Sequence, residues 1–313
     1  MDKLIWTHVG AQTGADGVGG VRSLTVSDLR VVFQPIVDLS SGRTFAHEAL
    51  VRCQRPEFSS PVDLFERAVE ETACGQLGRL IREVAFNVSG DIPLFLNLHP
   101  EELNSCWLVR PDDPMCLHPS ALFLEITESA AFTHFELCRS VLNELCRRTS
   151  ATLVVDDFGA GYSNLQRVAD LHPGIVKLDL ALTRNVHHLP RRQAVVRHVI
   201  ALCRELGARV VAEGIETIDE LKCVRDLGVH FAQGYLLARP AALPPASTWP
   251  LEALEPPARA TPSRRVGPSP PVAPPGTGRG DTRPTAPIRQ PHQNARRLPP
   301  PKPGKRRSGR PGQ

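Results

Sequence analysis

Short apolar runs alternate with longer amphipathic stretches through most of this chain. From Leu94 onward, each short run of apolar residues ends in a polar or charged residue, and a stretch with apolar residues three and four apart follows. The short runs are typical of buried strands, and the longer stretches are typical of one-faced helices. The polar residues that end the runs are Asn97, Glu125, the pair Asp156-Asp157, Lys177, Glu213 and Gln233.

Two further strand-like runs precede this pattern. Residues 30–37 lead into the turn Ser40-Ser-Gly42, and residues 44–52 follow it. Gly207 and Gly228 stand where helix C-caps are expected. The count is about eight strands, and all but the first pair are joined through helices. This alternation predicts an α/β fold, a TIM-like (β/α)8 barrel whose first strand runs antiparallel. The predicted helices span 61–71, 77–86, 135–148, 192–206 and 218–227.

Barrel active sites lie at the C-terminal ends of the strands. The sequence places Asn97, Glu125, Asp156, Asp157, Lys177 and Glu213 there, whereas Glu48 lies inside the second strand. A single acid at a strand end is more often a helix cap or a solvated turn residue. A chance set of caps would favour Ser and Thr, however, so we predict one converging polar site.

The residue types in this set indicate a class of chemistry. The strand-end residues comprise four carboxylates, one amide and one ammonium, with no His or Cys. Hard oxygen ligands favour Mg²⁺ or Mn²⁺ over zinc, and crowded carboxylates need cations between them to stay ionised. Asp156 and Asp157 could aim one carboxylate inward and the other sideways and so hold two ions, as suits displacement at phosphorus. Lys177 could orient the attacking water or stabilise transition-state charge. The residues alone predict a metal-dependent hydrolase of a phosphoester, with the substrate left open.

The last 68 residues differ in composition from the rest of the chain. Residues 246–313 hold 17 of the 30 prolines and 13 basic against three acidic residues, whereas residues 1–245 hold 24 basic and 30 acidic residues. With few large apolar residues, this basic tail is expected to be disordered. Its charge could bind nucleic acid or anionic lipid. A solvated extension is favoured because no aromatic residues are interleaved for base stacking.

These patterns divide the chain into a short leader (1–24), one domain (25–245) and the tail (246–313). We find no run of 18 apolar residues, so no membrane span is predicted. The start of the chain turns polar too soon for a signal peptide. The eight cysteines form no CxxC pair and are expected to be reduced thiols of a cytoplasmic protein.

Eight segments resemble, in order, the sequence blocks of the EAL domain family. The segment Glu48-Ala-Leu-Val-Arg52 is similar to the signature that names the family. Together the blocks span about residues 30–240, and a chance match of this length and order is negligible. The other blocks are Gln34-Pro-Ile36, Asn97-Leu-His-Pro100, Glu125-Ile-Thr-Glu128-Ser, Asp156-Asp-Phe-Gly-Ala-Gly-Tyr-Ser163, Val176-Lys-Leu-Asp179, Ala212-Glu-Gly-Ile-Glu216 and Gln233-Gly-Tyr235.

The resemblance implies a phosphodiesterase that opens cyclic di-GMP to the linear dinucleotide with two Mg²⁺ or Mn²⁺ ions. It implies a first ion held by Glu48, Asn97, Glu125 and Asp156, and a second held by Asp156, Asp157 and Glu213. The implied catalytic residues are Glu48, Asp156, Asp157, Glu213, Lys177 beside the attacking water, and Glu128, which would brace the loop from Phe158. The implied substrate-binding residues are Arg52 at a phosphate with Leu50 nearby, Gln34 and Gln233 on the guanine side, and Asn97, Asp179 and Glu216.

Two departures from the family pattern lie near the implied substrate mouth. Cys53 stands where relatives often have an aromatic residue, and the segment 54–61 is short and lacks the usual glycine and apolar residues. Some relatives have lost catalysis and serve as cyclic di-GMP receptors or docking modules, which is the alternative function. Those relatives usually lack a signature Glu, an aspartate of the pair or the motif Lys. All are present here, so an active enzyme is favoured. A homodimer is expected by resemblance alone.

Overall fold

The computed structural model describes residues 19–103, 108, 110–127, 135–160 and 165–250. Within them, eight strands follow one another around a closed barrel. The strands are β1 (Leu29–Asp38), β2 (Thr44–Cys53), β3 (Leu94–Asn97), β4 (Leu122–Thr127), β5 (Thr152–Phe158), β6 (Ile175–Leu178), β7 (Arg209–Ala212) and β8 (Phe231–Ala232). The helices are α1 (Pro61–Glu70), α2 (Cys74–Ser89), α3 (Phe135–Thr149), α4 (Leu165–Leu171), α5 (Leu180–Thr183), α6 (Pro190–Glu205) and α7 (Ile218–Asp226).

The strand directions confirm the predicted barrel with a reversed first strand. β1 pairs antiparallel with both β2 and β8, and all other neighbouring strands pair in parallel. The hairpin between β1 and β2 turns at Asp38, whose Oδ1 accepts from the backbone N–H groups of Ser40 and Ser41. Gly42 then takes a φ of +70°, which favours glycine.

Most predicted helices agree with the structure within a few residues. Local capping fixes two of their starts. Ser60 and Asp63 form a reciprocal capping box at α1, and Thr217 and Glu220 form another at α7. The sequence pattern does not predict α4 or α5, because helices of seven and four residues are too short to display a helical period.

One apolar side chain from every strand fills the barrel interior. The rings of Phe95 and Phe123 stack with centroids 4.3 Å apart, and Phe45 stacks on Phe231 at 4.3 Å. The guanidinium of Arg209 lies over both of the latter rings, 5.1 and 4.9 Å from their centroids. These contacts close the end of the barrel where β7 begins. The eight residues, here called the apolar row, are Ile36, Ala46, Phe95, Phe123, Val154, Ile175, Val211 and Phe231.

A buried ion cluster fixes the chain that follows β3. Arg82 on α2 lies 2.8 Å from a carboxylate oxygen of Glu102 and 2.8 Å from one of Asp113. All three side chains are buried, so each charge needs the others as partners. Since Glu102 stands five residues after Asn97 in the chain, this cluster anchors the segment that leaves the site end of β3.

Contacts with the barrel extend to both sides of the predicted 25–245 domain. Val21 is fully buried, and Thr44 Oγ1 lies 2.9 Å from Ser247 Oγ. Trp249 packs against the core. A change in composition does not mark these contacts, because they involve only a few residues at each boundary.

The remaining part of the tail, residues 251–313, lies outside the described residues. Among the described helices, none combines the length and the apolar character that crossing a bilayer requires. Seven cysteines fall within the described residues, and all of them are free thiols.

Candidate functional site

Eight polar side chains form a second row inside the barrel, here called the polar ring. Each stands two residues from the apolar row on the same chain segment, and on β1, which runs in the opposite direction, the step is two residues backward. Because side chains alternate along a strand with a period of two, both rows face the barrel interior. The polar ring consists of Gln34, Glu48, Asn97, Glu125, Asp156, Lys177, Glu213 and Gln233.

The alternation explains how Glu48 joins residues from strand ends. It lies two residues beyond Ala46 of the apolar row, at the level of the other ring members. β2 then continues to Cys53, paired with β1 along its whole length. Glu48 is therefore inside its strand yet at the same height in the barrel as the residues that end the shorter strands.

Lys177 stands at the centre of the ring's carboxylates. Its Nζ lies 2.5 Å from Glu125 Oε1 and 2.8 Å from Glu213 Oε1. The same atom lies 3.3 Å from Asp156 Oδ1 and 3.6 Å from Glu48 Oε2. The ammonium is fully buried, so these four ion pairs replace the water that it has lost.

The charges in the ring shift each other's pKa values. Burial by itself lowers the pKa of Lys177, but Asp156, Glu125 and Glu48 outweigh it, and that pKa lies well above its usual range. Burial raises the pKa of Glu125 well above its usual range, and Glu48 raises it further against the opposing effect of Lys177. The ammonium therefore stays charged, and the ring carries more carboxylates than one ammonium can neutralise.

A β-bulge in β5 brings two consecutive aspartates to one site. The register against β6 shifts between Val155 and Phe158, so that Asp156 and Asp157 together stand opposite Lys177. Asp157 takes a φ of +57°, and its N–H donates to Asp156 Oδ1 at 2.8 Å. In a regular strand these neighbours would face opposite sides, whereas a bulge redirects one of them. Both aspartates are buried.

The residues fit a divalent cation. One carboxylate oxygen from each of Asp156, Asp157 and Glu213 lies within 4.8 Å of the others. Glu125 Oε2 is buried without a hydrogen-bond partner among the described residues, as an oxygen intended for a cation would be. These donors are all hard carboxylate oxygens, which suit Mg²⁺ or Mn²⁺.

The amide side chains of the ring hold Glu48 in place. Gln233 Nε2 donates to Glu48 Oε2 at 2.6 Å and to Gln34 Oε1 at 3.1 Å. Gln34 Nε2 in turn donates to the backbone oxygen of Ala238 at 3.0 Å. Asn97 Nδ2 donates to Glu48 Oε1 at 3.3 Å, so both carboxylate oxygens of Glu48 are held.

A cavity opens from the ring toward α1 and α2. Leu50 and Arg52 line it, as do Phe65 on α1 and Ile81 on α2. Sequence reasoning did not single out these two apolar residues, because their helical spacing is that of ordinary core positions. The ring of Tyr235, also in the lining, stacks under Arg239 with the guanidinium 4.3 Å from the centroid.

The departures from the family pattern lie beside the cavity rather than across it. The cavity lining does not include Cys53, whose Sγ lies 3.6 Å from the backbone oxygen of Asp28. Arg55 also binds Asp28, with a distance of 2.9 Å from Nε to Oδ1. Of the short segment after Cys53, Pro61 reaches the cavity.

Two further candidate residues lie outside the cavity lining. Asp179 caps α5, where its Oδ1 accepts from the backbone N–H of Ala181 at 2.7 Å. Glu216 pairs both of its carboxylate oxygens with the guanidinium of Arg184. The structure therefore places Asp179 in the loop after β6 and Glu216 in the loop after β7, outside the cavity lining. Glu128 lies outside the described residues.

Comparison with known sequences identifies the same domain. The sequence model described as "EAL domain" matches residues 21–240. The cyclic di-GMP phosphodiesterase PA2567 of Pseudomonas aeruginosa is 37% identical over 230 residues, which cover 69% of this chain and 39% of that protein. The cyclic di-GMP phosphodiesterase RocR of the same organism is 32% identical, with 70% and 59% covered. The chain thus spans less than two thirds of the length of either relative.

Solved structures show the same fold. A calcium and cyclic di-GMP complex of BlrP1 from Klebsiella pneumoniae has a TM-score of 0.60 and 31% identity, covering 68% of this chain and 56% of that one. A standalone EAL protein from Vibrio cholerae, bound to cyclic di-GMP, has a TM-score of 0.58 and 26% identity, covering 71% and 96%. With the match over residues 21–240, these similarities show that the chain belongs to the EAL domain family.

Proposed function

We propose that this chain hydrolyses cyclic di-GMP to the linear dinucleotide with two divalent cations, Mg²⁺ or Mn²⁺. The observation that carries the proposal is the buried polar ring, in which four carboxylates surround Lys177 and Asp157 adds a fifth beside Asp156. The similarity to proteins named cyclic di-GMP phosphodiesterases supports the substrate. Similar structures contain calcium or manganese together with cyclic di-GMP, which supports a divalent cation.

The ring offers ligands for both cations. Glu48, Asn97, Glu125 and Asp156 would hold the first, and Asp156, Asp157 and Glu213 would hold the second. Bound there, the cations would lower the pKa of a water between them and screen the charge of the phosphate. The bulge in β5 supports a bridging role for Asp156, because it brings Asp157 to the same site.

Lys177 would act on the attacking water as a donor. The surrounding carboxylates raise the pKa of Lys177, which favours the protonated ammonium as a hydrogen-bond donor. Fixed among carboxylates, it can hold the water by a hydrogen bond and stabilise the negative charge that develops on the phosphate.

The cavity would receive the dinucleotide. Arg52 would bind a phosphate beside Leu50, and both line the cavity. Gln34 and Gln233 would contact the guanine side. Gln233 Oε1 is buried without a hydrogen-bond partner among the described residues, so it can accept from a base N–H group. The apolar side chain of Phe65 also lines this cavity.

Residues outside the cavity would support the catalytic loops. Asp179 and Glu216 lie in loops that follow β6 and β7, where Asp179 would hold the start of α5 and Glu216 would hold Arg184. For Glu128, a bracing role for the loop from Phe158 is proposed by resemblance. A homodimer is likewise proposed by resemblance, and light scattering of the purified chain tests it. A cytoplasmic location is proposed from the free cysteines.

The basic tail is proposed to be a solvated extension that catalysis does not need. A chain cut after Pro250 keeps the contact between Thr44 and Ser247 and the packing of Trp249. We expect this shortened chain to hydrolyse cyclic di-GMP at the full rate. A large loss of turnover would instead assign the tail a part in catalysis.

Turnover by the purified chain tests the function. With Mn²⁺, we expect cyclic di-GMP to be converted to the linear dinucleotide, as resolved by liquid chromatography. Asp156→Asn should abolish the conversion, whereas Asp226→Asn on the exposed face of α7 should leave it unchanged. Tight binding of cyclic di-GMP by the unmutated chain, without turnover, would favour a receptor.

A further inference from the structure

Both backbone groups of Glu213 are tied to the segment that follows β6. The N–H of Glu213 donates to the backbone oxygen of Leu178 at 3.2 Å. Its carbonyl oxygen accepts from the hydroxyl of Thr183 at 2.5 Å. Glu213 lies one residue beyond the end of β7, so it is outside the regular hydrogen bonding between β7 and its two neighbouring strands. The peptide that carries this carboxylate therefore depends on Thr183 for one of its two anchors.

Thr183 is built into this position. Its side chain is fully buried, and its hydroxyl is 3.4 and 3.5 Å from the backbone oxygens of Leu180 and Asp179, much farther than from Glu213. A β-branched side chain has few rotamers, which fixes the direction of the hydroxyl. A buried hydroxyl that makes one short hydrogen bond and two long ones is directed at its nearest partner, here the carbonyl oxygen of Glu213.

The neighbouring residues tie the rest of the same loop. The Arg184 guanidinium pairs with both oxygens of Glu216. The buried carboxylate of Glu220 accepts from Asn185 N at 2.8 Å and from Glu216 N at 3.0 Å. Thr183 and Arg184 thus contact the loop after β7 directly, and Asn185 is joined to it through Glu220 on α7.

The loop after β7 places a glycine directly beside Glu213. Gly214 follows Glu213 directly and takes a φ of +66°, a region that glycine enters freely. No side chain at this position can restrict the backbone that carries the Glu213 carboxylate. Contacts from outside the loop therefore position this residue: Lys177 holds its carboxylate, and the Thr183 hydroxyl holds its backbone carbonyl.

We propose that Thr183 is a positioning residue for Glu213, setting the geometry of the cation site formed by Asp156, Asp157 and Glu213. This inference rests on the proposed function only in taking Glu213 as a cation ligand. Thr183 itself does not line the cavity and would touch neither the substrate nor the cation. Loss of its hydroxyl should weaken cation binding while leaving substrate contacts intact.

Direct titration of the full chain with Mn²⁺, without substrate, tests the proposal. Outer contacts to metal ligands typically change affinity by about 10–100-fold. We expect Thr183→Val, which keeps the shape and removes the hydroxyl, to weaken Mn²⁺ binding by roughly tenfold. Thr183→Ser should restore the affinity to within about twofold of the unmutated chain. In turnover assays, the valine variant should need more Mn²⁺, with little change in the KM for cyclic di-GMP.

Thr149→Val is the matched control. Its hydroxyl also donates to a backbone oxygen, that of Leu145 at 2.8 Å, but on α3, away from the ring. Its Mn²⁺ affinity should be unchanged. Should Thr183→Val fail to fold by circular dichroism, Thr183→Ala provides a second test of the lost hydroxyl, and we expect the same weakening of Mn²⁺ binding.

The outcomes separate the two proposals. An unmutated affinity for Mn²⁺ in Thr183→Val, or weakened binding that Thr183→Ser does not restore, would overturn the positioning role alone. Mn²⁺ binding by the unmutated chain without turnover would overturn the proposed hydrolysis and leave the positioning role testable. Failure of the unmutated chain to bind Mn²⁺ would overturn both.

Discussion

Lys177 Nζ lies 2.5 Å from Glu125 Oε1, and both side chains have no exposure to solvent. An isolated buried ion costs several kcal/mol, so a charged Glu125 depends on this ammonium, whereas Lys177 has three further carboxylates within 3.6 Å. The pair nevertheless leaves Glu125 Oε2 without a hydrogen-bond partner among the described residues. The contact therefore neutralises charge in the ring while keeping one oxygen available for a cation.

Removal of the ammonium should damage both turnover and stability. We expect Lys177→Met to lower the rate of cyclic di-GMP hydrolysis by about 10²–10³-fold, the usual cost of losing a transition-state donor. Without metal, urea unfolding should show a loss of about 3–5 kcal/mol, because buried carboxylates lose their partner. Lys222→Met on α7 is the control and should behave as the unmutated chain does. More than a tenth of the unmutated rate in Lys177→Met would contradict this role.

Divalent cations should stabilise the folded barrel. A ligand at about 100 times its Kd adds about 2.7 kcal/mol, which raises the Tm of a domain of this size by roughly 5–10 °C. Thermal unfolding with and without Mn²⁺ measures the shift, and chelation by EDTA should reverse it and stop turnover. Asp157→Asn should lose most of the shift, whereas Asp226→Asn should keep it. An equal shift in both variants would place the cation elsewhere.

The close approach of the loops after β7 and β8 should tolerate no side chain. A Cβ at Gly234 would lie 2.0 Å from the backbone oxygen of Ile215. We expect Gly234→Ala to cost at least about 2 kcal/mol in urea unfolding and to lower turnover, because Gln233 and Glu213 flank the contact. Gly207→Ala is the comparison, because an added Cβ there meets open space, although Gly207, unlike Gly234, has a positive φ of +75°. It should cost only about 1 kcal/mol and leave turnover intact.

The stabilising effect of Glu220 should depend on pH. Burial raises the pKa of Glu220, but hydrogen bonds from the backbone N–H groups of Asn185, Glu216 and Thr217 outweigh it, leaving the pKa below the usual 4.5. A carboxyl whose pKa is lower in the folded state stabilises the protein above its unfolded pKa, and this stabilisation is lost as the pH falls through the folded value. Glu220→Gln should therefore cost about 2 kcal/mol at pH 7.

Urea unfolding of both chains between pH 7 and pH 3 measures this dependence. The difference in unfolding free energy between the unmutated chain and Glu220→Gln should be constant down to about pH 5 and shrink below pH 4.5. Glu205→Gln, at the exposed end of α6, provides the control and should show a difference near zero throughout. A Glu220→Gln difference that did not change with pH would show that the carboxylate's charge does not matter.

Strand ends were predictable because the barrel repeats a simple period. Once Phe123 and Ile175 are recognised as inward-facing, Glu125 and Lys177 must face inward as well, two residues later. A family resemblance was needed to include Gln34, because it precedes the apolar row of a strand whose direction is reversed. The two-residue alternation along the strands was enough to predict most of the fold and most members of the polar ring.

Contacts between distant side chains could not be predicted in this way. The bulge at Asp157 depends on how β5 pairs with β6, and a local sequence pattern does not record register. Thr183 stands in a helix of four residues, and its contact with Glu213 spans thirty positions of the chain. The cluster of Arg82 with Glu102 and Asp113 also joins separate segments, so no spacing in the sequence reveals it.

The apolar row beneath the polar ring has a kinetic consequence. Eight packed side chains fill the barrel beneath the polar ring, and Arg209 lies over Phe231 at that end. Among the described residues, the polar ring is reached through the cavity that opens toward α1 and α2, and Arg52 lines that cavity. Whatever has been bound must leave by the route along which its successor arrives. A new ligand therefore cannot enter until the bound one has left, and the rate of ligand release sets an upper limit on the turnover rate.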